Sequence, residues 1–189
     1  MTEGSLSENA TYRRIVGKDQ REGEVDPIIP AWVTITTPHH EVHEGETFHI
    51  CKLIDGLADD GNIDLGITVS PIKELHISFV GACGGDAIVR MFHTPTFSGG
   101  VTATLVNMDF SSTNTSDTLV HVGPTVASSG VTACEILLPG GVKNQATGST
   151  VRSGTEWILK RGLKYLLRLT NVAGAAKLAS LVAEWYEAD

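Results

Sequence analysis

The sequence is poor in charge, in aromatic residues and in long apolar runs. Only 19% of its 189 residues are charged and 6% are aromatic. No apolar stretch approaches the roughly 20 residues that a bilayer-spanning helix needs, so a helical membrane protein is excluded and no membrane partner is expected. Basic residues are scarce: 14 Lys and Arg stand against 22 Asp and Glu, for a net charge of -8. That balance lacks the broad cationic surface that phosphate neutralisation requires, and no nucleic acid partner is expected. There are three cysteines, Cys51, Cys83 and Cys134, widely spaced among apolar neighbours. This usage excludes a disulfide framework or a C-x2-C zinc site and predicts small buried residues. The opening Met1-Thr2-Glu3-Gly4-Ser5 has neither the positive n-region nor the apolar h-region of a secretory signal, so folding in a cytoplasm is the expectation.

Thr (20), Ser (13) and Gly (20) are plentiful. Hydroxyl-bearing and β-branched side chains disfavour helix, and together with glycine they predict strands joined by tight turns. The length suits one domain, or one domain with an arm, and buries a sizeable core without disulfide or metal support. Acidity is concentrated early: residues 1–30 carry four basic and six acidic groups, residues 31–70 one and seven, and residues 71–189 nine of each.

Residues 1–30 have scattered apolar positions with no sustained period, and are expected to form an extended N-terminal arm, either a frayed terminus or a segment that orders against a partner or a neighbouring subunit. Tyr12, Arg13 and Arg14 are its most adhesive patch. Pro27 and Pro30 end the arm, since each withholds an N–H from any ladder. From residue 31 to 189 the pattern is a β-sandwich domain. Strand-like runs are expected at 31–37, 47–51, 63–69, 75–80, 87–92, 101–106, 132–138, 156–160, 165–170 and 178–186. Turn chemistry separates them at Asp59-Asp60-Gly61-Asn62, Gly84-Gly85, Gly99-Gly100, Arg161-Gly162 and Ala173-Gly174. The Ala-rich segment 173–186 also suits a helix of three turns, but the turn before it favours a returning strand. About ten or eleven strands and no helix require a closed or double-layer antiparallel arrangement, and a jelly-roll-like sandwich is the expected all-β fold. Polar loops at 107–118 and 139–155 are long enough to carry recognition.

The densest chemical cluster is Pro38-His39-His40-Glu41-Val42-His43-Glu44-Gly45-Glu46, with His49 nearby. On a strand His39 and His43 share a face but lie about 13 Å apart at roughly 3.3 Å per residue, too far for one ion. A helix would bring them together, yet Pro38 and Gly45 leave little room for one. The zincin and cupin spacings are absent. Hydrogen-bonded or solvated histidines are therefore expected, and no metal site or cofactor. A metal-dependent β-barrel enzyme at His39, His40 and His43 stands as an alternative. Cys83, between Gly81-Ala82 and Gly84-Gly85, reads as a small turn residue, and no G-x-S-x-G elbow or P-loop occurs. No catalytic residue is assigned, and the chain is not expected to be an enzyme.

Lys160, Arg161 and Lys164, with Arg168, form the main basic concentration and a candidate contact patch for an acidic surface, including the 41–64 region of a second copy. Trp32, Trp157 and Trp185 are expected in the core or at a subunit interface. A glycan-binding adhesin or head-fibre module using the polar loops and Trp157 is a further alternative.

Three features carry a family resemblance. The first is His39-His40-Glu41-Val42-His43-Glu44-Gly45 with Phe48; the second is the run of central alternating strands with the Ser/Thr/Asn loop at 111–118. The third is the ending from Tyr165-Leu166-Leu167-Arg168-Leu169-Thr170 to Glu184-Trp185-Tyr186-Glu187. Over roughly residues 31–187 the chain resembles the head decoration, or capsid cement, proteins of tailed bacteriophages. The resemblance implies a virion structural protein assembled in the host cytoplasm, a homotrimeric β-sandwich on the capsid exterior. Its implied partner is the major capsid protein, touched by the N-terminal arm. It carries over no catalytic residue.

Overall fold

A computed structural model describes residues 24–25, 32–33, 37–140 and 156–188, with side chains from residue 40 onward. Tyr12, Arg13 and Arg14 lie outside the described residues, as does most of the 139–155 loop. The chain divides into two compact units between Glu41 and Val42. In the first, β1 (Glu24–Val25) pairs antiparallel with β2 (Trp32–Val33), Glu24 opposite Val33 and Val25 opposite Trp32. Thus β1 falls within the segment expected as an arm, and of the strand expected over 31–37 Trp32 and Val33 are strand, Thr37 opens a helix and the rest lies outside the described residues.

The helix α1 (Thr37–His43) corrects the expectation of no helix. Pro38 sits in the first turn, where a missing N–H leaves no intrahelical acceptor unpaired, so it opens the helix rather than breaking it. Gly45, at φ +72°, closes it, with its N–H donating to Val42 O at 3.0 Å.

The second unit is built from β3 (Thr47–Leu57), β4 (Asn62–Thr68), β5 (Glu74–Cys83), β6 (Ala87–His93), β7 (Thr96–Ser98), β8 (Val101–Thr102), β9 (Val106–Asn107), β10 (Leu119–Val122), β11 (Thr125–Ser128), β12 (Val131–Leu138), β13 (Trp157–Leu159), β14 (Lys164–Asn171) and β15 (Lys177–Ala188). One layer has the order β13-β5-β15-β3-β9, the other β12-β6-β14-β4-β10-β8, and β11 with β7 forms a small separate pair. Every pairing is antiparallel. The fold is an all-β sandwich, as the composition predicts. Segment 177–188 is strand, not helix.

Four pairs are nested in sequence, each enclosing the next: β3 with β15, β4 with β14, β5 with β13, and β6 with β12. Alternate pairs lie in alternate layers. The expected strand over 101–106 is instead two short ones, β8 and β9, at the edges of opposite layers. The turn between them lets the chain cross the sandwich.

Period-2 alternation places the core. Along β5, Leu75, Ile77, Phe79 and Cys83 are buried while His76, Ser78 and Val80 turn outward; along β15, Ala179, Leu181, Ala183 and Trp185 are buried. They meet Ile63, Leu65, Ile67, Val89, Met91, Leu167 and Leu169 from the other layer. Each such aliphatic side chain, fully buried, stabilises the fold by about 1.5–3 kcal/mol. Gly81 permits a close approach of the two layers: a Cβ there would stand 2.4 Å from Val89 Cγ2 and 3.1 Å from Leu169 Cδ1. A second, smaller apolar cluster lies on the outside of the other layer, where Phe97 of β7 covers Gly66 beside buried Leu166 and Phe92.

Of the cysteines, Cys83 is buried as expected, Cys134 is half-buried, and Cys51 is exposed, which corrects the expectation for that residue. Cys51 lies opposite Val182, on the outward register of β3. Burial raises the Cys134 thiol above its ordinary range.

Candidate functional site

The two ends of the sandwich differ. At one end the turns are short and tied together by Asn171, which is fully buried. Its Nδ2 donates to Leu57 O at 2.8 Å, Ala58 O at 3.1 Å and Ala175 O at 2.8 Å, while Oδ1 accepts from Ala173 N at 3.1 Å.

The other end carries the 107–118 loop, the β4–β5 loop and the β13–β14 turn. Hydrogen bonds join them: Gly162 N donates to Ser70 O at 3.0 Å, and Ser70 N to Thr118 Oγ1 at 3.4 Å.

The 107–118 loop is held by its own side chains. Asn107 Oδ1 accepts from Asp109 N at 2.9 Å, and Asp109 Oδ1 from Ser111 N at 2.8 Å, the local turns that Asn and Asp favour. Asn107 Nδ2 donates to Gly45 O at 2.7 Å, and Asn114 Nδ2 to Glu44 O at 3.3 Å and Glu46 Oε1 at 3.1 Å. Gly45 is needed here for a second reason: a Cβ would stand 2.2 Å from Ser112 Oγ. At the far end of the loop Glu187, only 3% exposed, accepts from Asp117 N and Thr118 N at 3.0 Å each and from Ser116 Oγ. A buried carboxylate bonded by two backbone amides and a hydroxyl is an anchored one.

Lys73 links this loop to the start of β3. Its Nζ lies 2.8 Å from Glu46 Oε2 and 3.7 Å from Asp117 Oδ2. The Glu46 hydrogen bond, outweighing partial burial, raises the Lys73 ammonium above its ordinary value.

Beside exposed polar residues such as Thr113, Thr115 and Asp117, the loop also presents apolar side chains to solvent. Val106, Met108 and Phe110 alternate with Asn107 and Asp109 and are 42%, 39% and 90% exposed. Ile72 and Leu119 are exposed at the same end.

The basic residues singled out from the sequence are dispersed by the fold. Lys160 and Arg161 are exposed on the β13–β14 turn, and Arg161 Nε lies 3.8 Å from Glu74 Oε1. Lys164 places its Nζ 4.8 Å from the centre of the Phe97 ring, on the outside of the other layer. Arg168 is in a bidentate pair with Asp64, 2.7 Å for each bond, which holds its guanidinium above its ordinary range. It belongs to a row across that layer, Glu135–Arg90–Arg168–Asp64, with Arg90 bonded to Glu135. Sequence reading missed Lys73, Glu187 and Phe110; the alternation at 106–110 was the signal available for the last.

The histidine cluster occupies α1 and the start of β3. The strand geometry used against a metal therefore does not apply, because His39 and His43 are one helical turn apart. Among the described residues, however, no group of three or more His, Cys, Asp or Glu side chains could hold a metal ion. His40 Nδ1 lies 3.8 Å from Glu41 Oε1. Trp157 is half-buried and packs against the core with Nε1 enclosed, and Trp185 is buried in the core. No protein-family model, curated protein or solved structure matches the chain.

Proposed function

We propose that this chain is a virion structural protein that decorates the exterior of a bacteriophage capsid, binding major capsid protein subunits as a trimer. The sandwich is read as a jelly roll, on the strength of the four nested strand pairs and their alternation between layers. The observation that carries the functional reading is the loop end. Asn107, Asn114, Glu187 and Lys73 hold its loops in place, and Phe110, Met108, Ile72 and Leu119 are left outward on a braced surface suited to contact. The sequence resemblance supports the same class. Many modest contacts repeated over a shell give avidity, so no single interface has to be large.

The test mixes purified protein with undecorated heads. Saturable binding and a higher head melting temperature are expected, since a ligand of the assembled shell stabilises it by mass action. Absence of both overturns the proposal. Light scattering is expected to give three times the chain mass, and a monomer overturns the trimer.

A further inference from the structure

We infer that the strip Val106–Met108–Phe110 is the surface by which this protein docks on the shell, with Phe110 entering an apolar pocket bordered by basic side chains. The inference deepens the decoration reading and rests on it. Three observations on one segment carry it. The apolar side chains alternate with less exposed polar ones, so Val106 on the edge strand β9 and Met108 and Phe110 in the turn that follows it face solvent. Phe110, at 90% exposure, buries almost none of its ring within the chain. The backbone beneath it is pre-ordered by the Asn107, Asp109 and Ser112 bonds and by the Glu187 anchor. An aromatic side chain on a stiff loop loses little further entropy on binding, the circumstance in which one residue dominates an interface.

Charge selects the kind of partner. The loop and the residues it is bonded to carry Glu44, Glu46, Asp109, Asp117 and Glu187 against Lys73. A negative field around an apolar tip fits a protein pocket rimmed by Lys or Arg and opposes approach to an anionic lipid surface.

The experiment measures binding of wild type, Phe110→Ser and Leu178→Ser to undecorated heads, after confirming equal melting temperatures for the three free proteins. Phe110→Ser is expected to weaken binding at least about 30-fold. Leu178→Ser, an exposed apolar residue near the opposite end of the sandwich, is expected to stay within about 3-fold, and raising salt from 0.1 to 1 M to slow association of the wild type. Equal binding by wild type and Phe110→Ser overturns this inference and leaves the decoration reading standing. No binding by wild type overturns both. Co-flotation of wild type with phosphatidylcholine vesicles, lost in Phe110→Ser, assigns the strip to a lipid surface and overturns the protein pocket.

Discussion

Asn171 shows how much one side chain does at the closed end. Its amide serves three carbonyls from two turns, and the same side chain caps Ala173 N. Asn171→Ala is expected to destabilise the protein by about 2–3 kcal/mol, read as a lowered urea midpoint with an unchanged slope. Asn171→Asp removes the donors and sets a carboxylate against those carbonyls, so its loss is expected to be larger. Lys73 gives a pH-dependent counterpart. Its value in the folded state is raised, so its contribution is complete below the ordinary lysine value of 10.5 and is lost as pH rises through the elevated one. The stability difference between wild type and Lys73→Met, modest for a partly exposed pair, is expected to be constant from pH 7 to 10 and to fade above 10.5 in urea titrations. Neither Lys73 nor Glu187 was legible as a loop anchor in the sequence. Lys73 meets Glu46 across 27 positions, and Glu187 meets Ser116 across 71, and no local pattern encodes such pairs.

Strands were legible where side chains alternate over a long run. The β5 and β15 segments show it, and the bends at Gly162 and Gly174, both at positive φ, were marked by their turn chemistry. Short elements were not. The strands β10 and β11 have four residues each, and 101–106 divides between layers because the crossing depends on partners elsewhere in the fold. The helix α1 was missed because a first-turn proline resembles a breaker. At this scale Gly81 gives the clearest test. Gly81→Ala drives a Cβ into Val89 and is expected to cost about 1–3 kcal/mol. Adding Val89→Ala is expected to recover part of that loss, so the double mutant is more stable in thermal melts than the sum of the two single effects.

For the sandwich, the nested order means that β15 lies between β3 and β5 in a layer that cannot close without it. A chain lacking residues 177–188 is expected to show no cooperative thermal transition and no near-ultraviolet dichroism. The pairings span most of the sequence, so folding is expected on the slow side, milliseconds to seconds, for a domain of this size. The same order brings the first and last strands side by side, with Thr47 opposite Tyr186. A short linker between those two strands, with the chain opened at Ala173–Gly174, would give a circular permutant of the sandwich. Its new termini would emerge at the pole that Asn171 seals, so cargo fused there would leave Phe110 unobstructed.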